Sequence, residues 1–322
     1  MTASRRDFLK VSGGCLAHIA LASACAPLRA RQQWTAPAHP TVATTAFAHL
    51  DLIGPDTWAL VSTPLGGDRT TFSNGGIIAG RSGVIAVEGF YRQAGAEWLA
   101  QRARELTGRW PTHVVLTHYH TDHSGGLAGY TTPTGKPTLR ATARTRDLVF
   151  GGGAVAPPKD DALTRAFADV VVVPADRPVS IDLGNRRVRL DSLSGHTASD
   201  IAIIDDDAGI TWTGDLMWNA MFPNFVDAVP GTLTASVRHI EKTRARTFVP
   251  GHGAVADRAA LTRYIALLDD IEATARRGHT AGTTAAQVSA GYTIPAALGE
   301  WMASKPSLER AMTAWYRQLD AR

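Results

Sequence analysis

Cysteine is nearly missing from this chain: there are two in 322 residues, Cys15 and Cys25, both ahead of residue 30. The body beyond them therefore has no disulfide framework and no thiol nucleophile, and its stability must come from an apolar core. Dense runs of Lys or Arg are missing too. The net charge of +4 is concentrated at the start, where Arg5, Arg6, Lys10 and Arg29 outweigh Asp7; from residue 31 onward 29 basic residues face 28 acidic ones. Such a near-neutral body argues against a nucleic-acid or anionic-membrane surface, since both partners need clustered basic charge. No repeat or low-complexity tract occurs, and the apolar run over residues 11–26 is too short to span a bilayer. With 44% hydrophobic and 19% charged residues, what remains fits one large α/β domain, or such a domain with an appendage.

The first 30 residues have the layout of an export signal: "SRRDFLK", then "VSGGCLAHIALASACA", a modest apolar stretch ending in small residues. Paired Arg5 and Arg6 followed by Phe8, Leu9 and Lys10 resemble a twin-arginine signal, which implies export of the folded protein to the periplasm by the twin-arginine translocation machinery. Cys25 in "LASACA" has small residues before it, as a lipidated cysteine does, and a membrane attachment is expected only through that residue. Residues 31–45, rich in Pro, Ala and Thr, read as a linker.

Beyond the linker, "TWALVST", "NGGIIAG", "GVIAVEG" and "HVVLTH" read as strands, with a helix over residues 92–106. A second strand-rich block follows: "VVVVP", "VSIDL", "RRVRLDSLS", "DIAIIDD", "GITWTGD" and "RTFVPGHG", with one helix over about residues 234–243. Two such blocks suggest an α/β fold of two sheets packed face to face with helices outside. The resulting division is a body over residues 46–256 and a helical region over residues 257–322 packed on it, begun by "ALTRYIALLDDIEATARR".

Three of the 11 histidines crowd into "LTHYHTDHSGG", directly after a strand. Residues two apart on extended backbone point the same way, so His118 and His120 can share one ion, while the turn that follows brings Asp122 and His123 toward a second. His196 in "SGHTASD", Asp215 in "TGDL" and His252 in "PGHG" each sit at a strand end after a glycine. Imidazole with carboxylate is a ligand set for zinc or iron. His113, His239 and His279, and His18, His39 and His49 nearer the start, lie outside these motifs and are given no role.

In this order, "HYHTDH", "GHT", "GD" and "PGHG" resemble the metallo-β-lactamase superfamily over about residues 57–255. The resemblance implies a four-layer αββα sandwich with its site at the sheet edge. It implies two zinc ions, one held by His118, His120 and His196, the other by Asp122, His123 and His252, with Asp215 between them; Asp122 is also the candidate catalytic carboxylate. Glu88 stands where the family usually has an aspartate near the site. A water between two such cations loses its proton near neutral pH and attacks an acyl carbon, so the expected activity is hydrolysis of a small ester, thioester or lactone. The other readings are a β-lactamase, a persulfide dioxygenase with one iron, and a periplasmic protein that binds metal without turnover. Two features stay open: "LMWNAMFPNFV" as a substrate wall or as packing, and residues 151–158 as a lid or as a linker between strands.

Overall fold

The computed structural model describes residues 38–63, 67–133 and 135–321. The expected export signal and the expected linker up to residue 37 lie outside the described residues. Eight strands form the first sheet in chain order: β1 (Thr41–Thr44), β2 (Ala48–Gly54), β3 (Thr57–Ser62), β4 (Gly75–Ala79), β5 (Val84–Val87), β6 (His113–Val115), β7 (Thr138–Thr142) and β8 (Val171–Val173). The first five pair antiparallel; β5 to β8 pair parallel, with helix α1 (Gln93–Thr107) crossing between β5 and β6. The second sheet holds β9 (Val179–Asp182), β10 (Arg187–Leu193), β11 (Asp200–Asp205), β12 (Ile210–Trp218), β13 (Thr247–His252) and β14 (Ala256–Asp257), ordered β14-β13-β12-β11-β10-β9.

The runs of apolar residues are continuous because each sheet is covered on both faces. In β4, Ile77 faces the helices and Ile78 faces the other sheet; in β11, Ile201 and Ile203 face inward while Ala202 and Ile204 face the outer helices. Alternation at period two thus builds three cores, one between the sheets and one beneath each helical layer. Gly76 sets the spacing of the sheets. A Cβ there would meet the Trp58 carbonyl at 2.4 Å and the Trp212 indole at 2.7 Å, and that indole donates to the Gly75 carbonyl (3.1 Å).

On the second sheet's outer face lie α5 (Pro230–Glu241), α6 (Arg258–Thr280) and α8 (Lys305–Asp320); α2 (Thr121–Ser124), α3 (Ala143–Gly151), α4 (Asp161–Phe167) and α7 (Ala285–Gly291) are shorter. Helix α6 buries Leu261, Tyr264, Ile265, Leu268, Ile271 and Ala275, one stripe at helical spacing, and Asp257 caps its start by accepting from Ala260 N (2.7 Å). These side chains share one cluster with Leu216, Met217 and Phe222 of the body. Among the described residues no helix is long and apolar enough to cross a membrane.

Three expectations change. Thr41–Thr44, placed in the linker, is the edge strand β1 on β2: its Pro-free Thr/Val pattern suits a pleated edge better than its composition suggested. Helix α5 begins at Pro230, because proline fits a first turn where its missing N–H costs nothing. Residues 151–158 join helices α3 and α4, not two strands, and Val155 O accepts from Thr121 N (2.9 Å) and Thr121 Oγ1 (2.7 Å), which ties this segment to the histidine motif.

Candidate metal centre

The carboxyl ends of β6, β10, β12 and β13 converge on one sheet edge, and all seven motif residues meet there, each at most 8% exposed. They form two groups whose ligand atoms lie within 4.8 Å of one another: His118, His120, His196 and Asp215; and Asp122, His123 and His252. Asp215 faces both. Its Oδ2 lies 3.2 Å from His196 Nε2 and 4.0 Å from His118 Nε2; its Oδ1 lies 3.2 Å from His123 Nε2 and 3.4 Å from His252 Nε2. Gly251 makes room, since a Cβ there would fall 1.9 Å from Asp215 Oδ1. Asp122 lies inside α2 and does not cap it; its Oδ2 is 3.3 Å from His252 Nε2.

The imidazoles are held from behind. His118 Nδ1 meets Thr117 Oγ1 (3.0 Å), and Thr117 donates its hydroxyl to Glu88. His123 Nδ1 lies 3.0 Å from Glu88 Oε1, which leaves Nε2 facing the site. Glu88 therefore grips the ligand segment after β6 at two points without entering the metal-facing set, from a left-handed backbone (φ 75°) whose carbonyl accepts from Tyr130 OH (2.7 Å).

No motif pointed to Asp227, in the loop before α5. Its Oδ2 lies 2.9 Å from His120 Nε2 and accepts from Tyr119 OH, so His120 Nδ1 turns toward His196 Nε2 at 3.1 Å. Asp200 is a second omission: it accepts from His196 N and from Thr197 N and Oγ1, shaping the turn that presents His196. Burial raises the Asp200 carboxyl to about 7 against those donors.

Electrostatics divide the centre. Burial, reinforced by neighbouring histidines, holds His118 well below its ordinary pKa, and burial takes His196 down to about 3. Burial also opposes charge on His252, yet Asp215 and Asp122 outweigh it and lift it to about 9. His123 is raised well above its ordinary value, against burial, by Asp215, Glu88 and Asp122. Among the described residues, buried His118 Nε2, His123 Nε2 and Asp215 Oδ1 make no hydrogen bond, and stranded donors and acceptors of this kind, gathered in the two groups, fit bound divalent cations. Of the "LMWNAMFPNFV" side chains, Trp218 stacks on His252 (ring centroids 4.1 Å, 34°), while Met217, Phe222 and Phe225 are buried in the helix-side core.

Two mixed sheets between helices, with a His/Asp dimetal site at their edge, define a metal-dependent hydrolase. Residues 89–252 match the model of the metallo-beta-lactamase superfamily, and the chain belongs to that superfamily. It is 26% identical over 217 residues to a hydroxyacylglutathione hydrolase from Rhodospirillum rubrum, covering 67% of this chain and 75% of that protein. It is 26% identical over 170 residues to a human acyl-coenzyme A thioesterase, covering 47% and 60%. In fold, the sec-alkylsulfatase of a Pseudomonas species superposes with a TM-score of 0.67 at 14% identity over 95% of this chain and 62% of that one.

Proposed function

We propose that this protein is a dinuclear zinc hydrolase of thioesters, with small esters and lactones as lesser substrates. The observation that carries the reading is the Asp215 carboxylate, whose two oxygens face two different imidazole groups. The relatives named above as a hydroxyacylglutathione hydrolase and an acyl-coenzyme A thioesterase support the thioester. His118, His120 and His196 would hold one cation, Asp122, His123 and His252 the other, with Asp215 shared. Bound there, the two cations supply Lewis acidity for the acyl oxygen and lower the pKa of water. Asp122, its side chain 11% exposed, is kept ionised against the effect of burial by His123 and His252, its Oδ2 facing His252 Nε2 at 3.3 Å, which readies it to hold the second cation and orient an entering water. Glu88 and Asp227 hold the imidazoles in orientation, and Trp218 keeps water off the back of His252.

Elemental analysis together with a hydrolysis screen tests this. Two zinc ions per chain and chelator-sensitive turnover of S-lactoylglutathione or acetyl-coenzyme A are expected, with β-lactams turned over weakly. Efficient penicillin hydrolysis without thioester turnover would make it a β-lactamase; one iron with oxygen uptake on a persulfide would make it a dioxygenase. The Arg5–Arg6 pair supports export to the periplasm, soluble or anchored through Cys25. Replacing both arginines by lysine should leave the protein in the cytoplasm.

A further inference from the structure

The loop between β3 and β4 is fastened to the metal centre at two points. Ser73 Oγ donates to Asp122 O (2.7 Å), and Asn74 Nδ2 donates to the carbonyls of Pro250 (2.9 Å) and Gly253 (2.7 Å), on either side of the His252 turn. Just before these anchors Phe72, in a left-handed conformation (φ 64°), sets its ring edge-on to His252 (6.3 Å) and beside Tyr91 (6.1 Å). A guanidinium rests on each ring: Arg69 over Phe72 and Arg92 over Tyr91, both at 5.9 Å. Neither makes a hydrogen bond or an ion pair among the described residues. The acid of this stretch, Asp68, is engaged with Thr70 N (2.8 Å) and is kept ionised by Thr70, with a smaller contribution from Arg92. Two cations thus accompany one committed carboxylate, on the two rings through which this loop adjoins His252. With no hydrogen bond or ion pair among the described residues, and resting on the ring that adjoins His252, the planar Arg69 guanidinium matches carboxylate or phosphate.

We propose that Arg69, supported by Arg92, is an anion subsite that binds the charged thiol arm of a thioester substrate while its acyl group lies over the metal centre. This rests on the thioester reading. The shared chemistry is a carboxylate or phosphate several bonds from the sulfur, the former on a glutathione-type arm and the latter on a coenzyme A-type arm.

The zinc-loaded Arg69→Met and Arg92→Met proteins test it, since methionine keeps an apolar stem on the ring. With Arg69→Met, KM for S-lactoylglutathione or acetyl-coenzyme A should rise roughly tenfold with little change in kcat, while KM for neutral S-phenyl thioacetate stays fixed. Whichever anionic substrate shifts more identifies the arm, and the wild-type KM for it should rise with salt. Equal shifts for charged and neutral substrates, or none, would overturn the subsite and leave the thioester reading standing. If the wild type turned over no thioester, that reading would fail by itself; calorimetric binding of S-methylglutathione and desulfo-coenzyme A would then decide the subsite, supported by weaker binding in Arg69→Met and overturned by equal binding.

Discussion

The two halves of the metal centre use similar side chains in opposite electrical states. His118 and His196 are imidazoles that burial keeps neutral, whereas His123 and His252, equally buried, are driven toward the charged form by Asp122, Asp215 and Glu88. Neutral imidazole is ready to bind a cation, while a protonated one must first lose its proton. The difference comes from where the carboxylates lie: Glu88 sits behind His123 at 3.0 Å and Asp122 beside His252 at 3.3 Å, while the first group's own carboxylate support, Asp227, stands behind His120. The first group is therefore expected to load with metal before the second.

Removing the residue common to both halves has the largest effect. Asp215→Ala should cut turnover by more than about 100-fold, beyond the range for residues that only orient a ligand, and should lower zinc from two ions per chain to one or none. Its circular dichroism should be unchanged, because the three apolar cores are untouched. Two tightly held ions with near-normal turnover in that variant would show that the halves do not depend on a shared carboxylate.

A crossed pair comes next. Glu88→Gln should weaken metal affinity by about 10- to 100-fold at the second group, where it meets His123 directly, and less at the first, which it reaches through Thr117; Asp227→Asn should weaken the first by about 10- to 100-fold. With cobalt in place of zinc, Asp227→Asn should lose the absorption of the first site only, and Glu88→Gln mainly that of the second. Equal losses at both sites in both variants would mean that the halves are supported as one unit.

Much of this centre was legible in the sequence, because its ligands lie in or just after strands, with Asp215 inside β12 rather than at its end, and strands announce themselves by apolar runs. His118, His120, His196, Asp215 and His252 could be picked out from "HYHTDH", "SGHT", "TGDL" and "PGHG", and Glu88 through the resemblance, which puts an aspartate near that place. Asp227 could not. It reaches His120 from 107 residues away, out of a loop with no periodicity, and only the packing of α5 and Tyr119 brings it there. The same holds for Arg69 and Phe72, whose roles depend on a loop pinned by long-range hydrogen bonds and on a left-handed residue that no local pattern requires. Helices α3 and α4 were missed because, at nine and seven residues, they are too short to establish a period. Residues 41–44 were misread because composition was weighed above alternation.

The smallest effect concerns pH, and it follows from the electrical contrast between the halves. In the unfolded chain all these histidines titrate near 6.5, while in the folded metal-free protein His196 is held near 3 and His252 near 9. Between about pH 3 and 6.5 the unfolded chain binds protons at residues 196 and 118 that the folded protein refuses, and these two outweigh the one that Asp200 keeps up to about 7, so stability should rise with pH. Between 6.5 and about 9 the folded protein keeps a proton at residue 252 that the unfolded chain has lost, so stability should fall. His123, raised by the same carboxylates, steepens the falling limb. The Tm of the metal-free protein should therefore peak near pH 6.5. Zinc at the second group would displace these protons, so calorimetry in two buffers of different ionisation enthalpy should detect proton release at pH 7.5 for the second ion and little for the first. In the loaded protein the falling limb should disappear. Equal proton release for both ions, or a metal-free Tm that does not fall between pH 7 and 9, would remove the electrical distinction between the two halves and with it the expected order of loading.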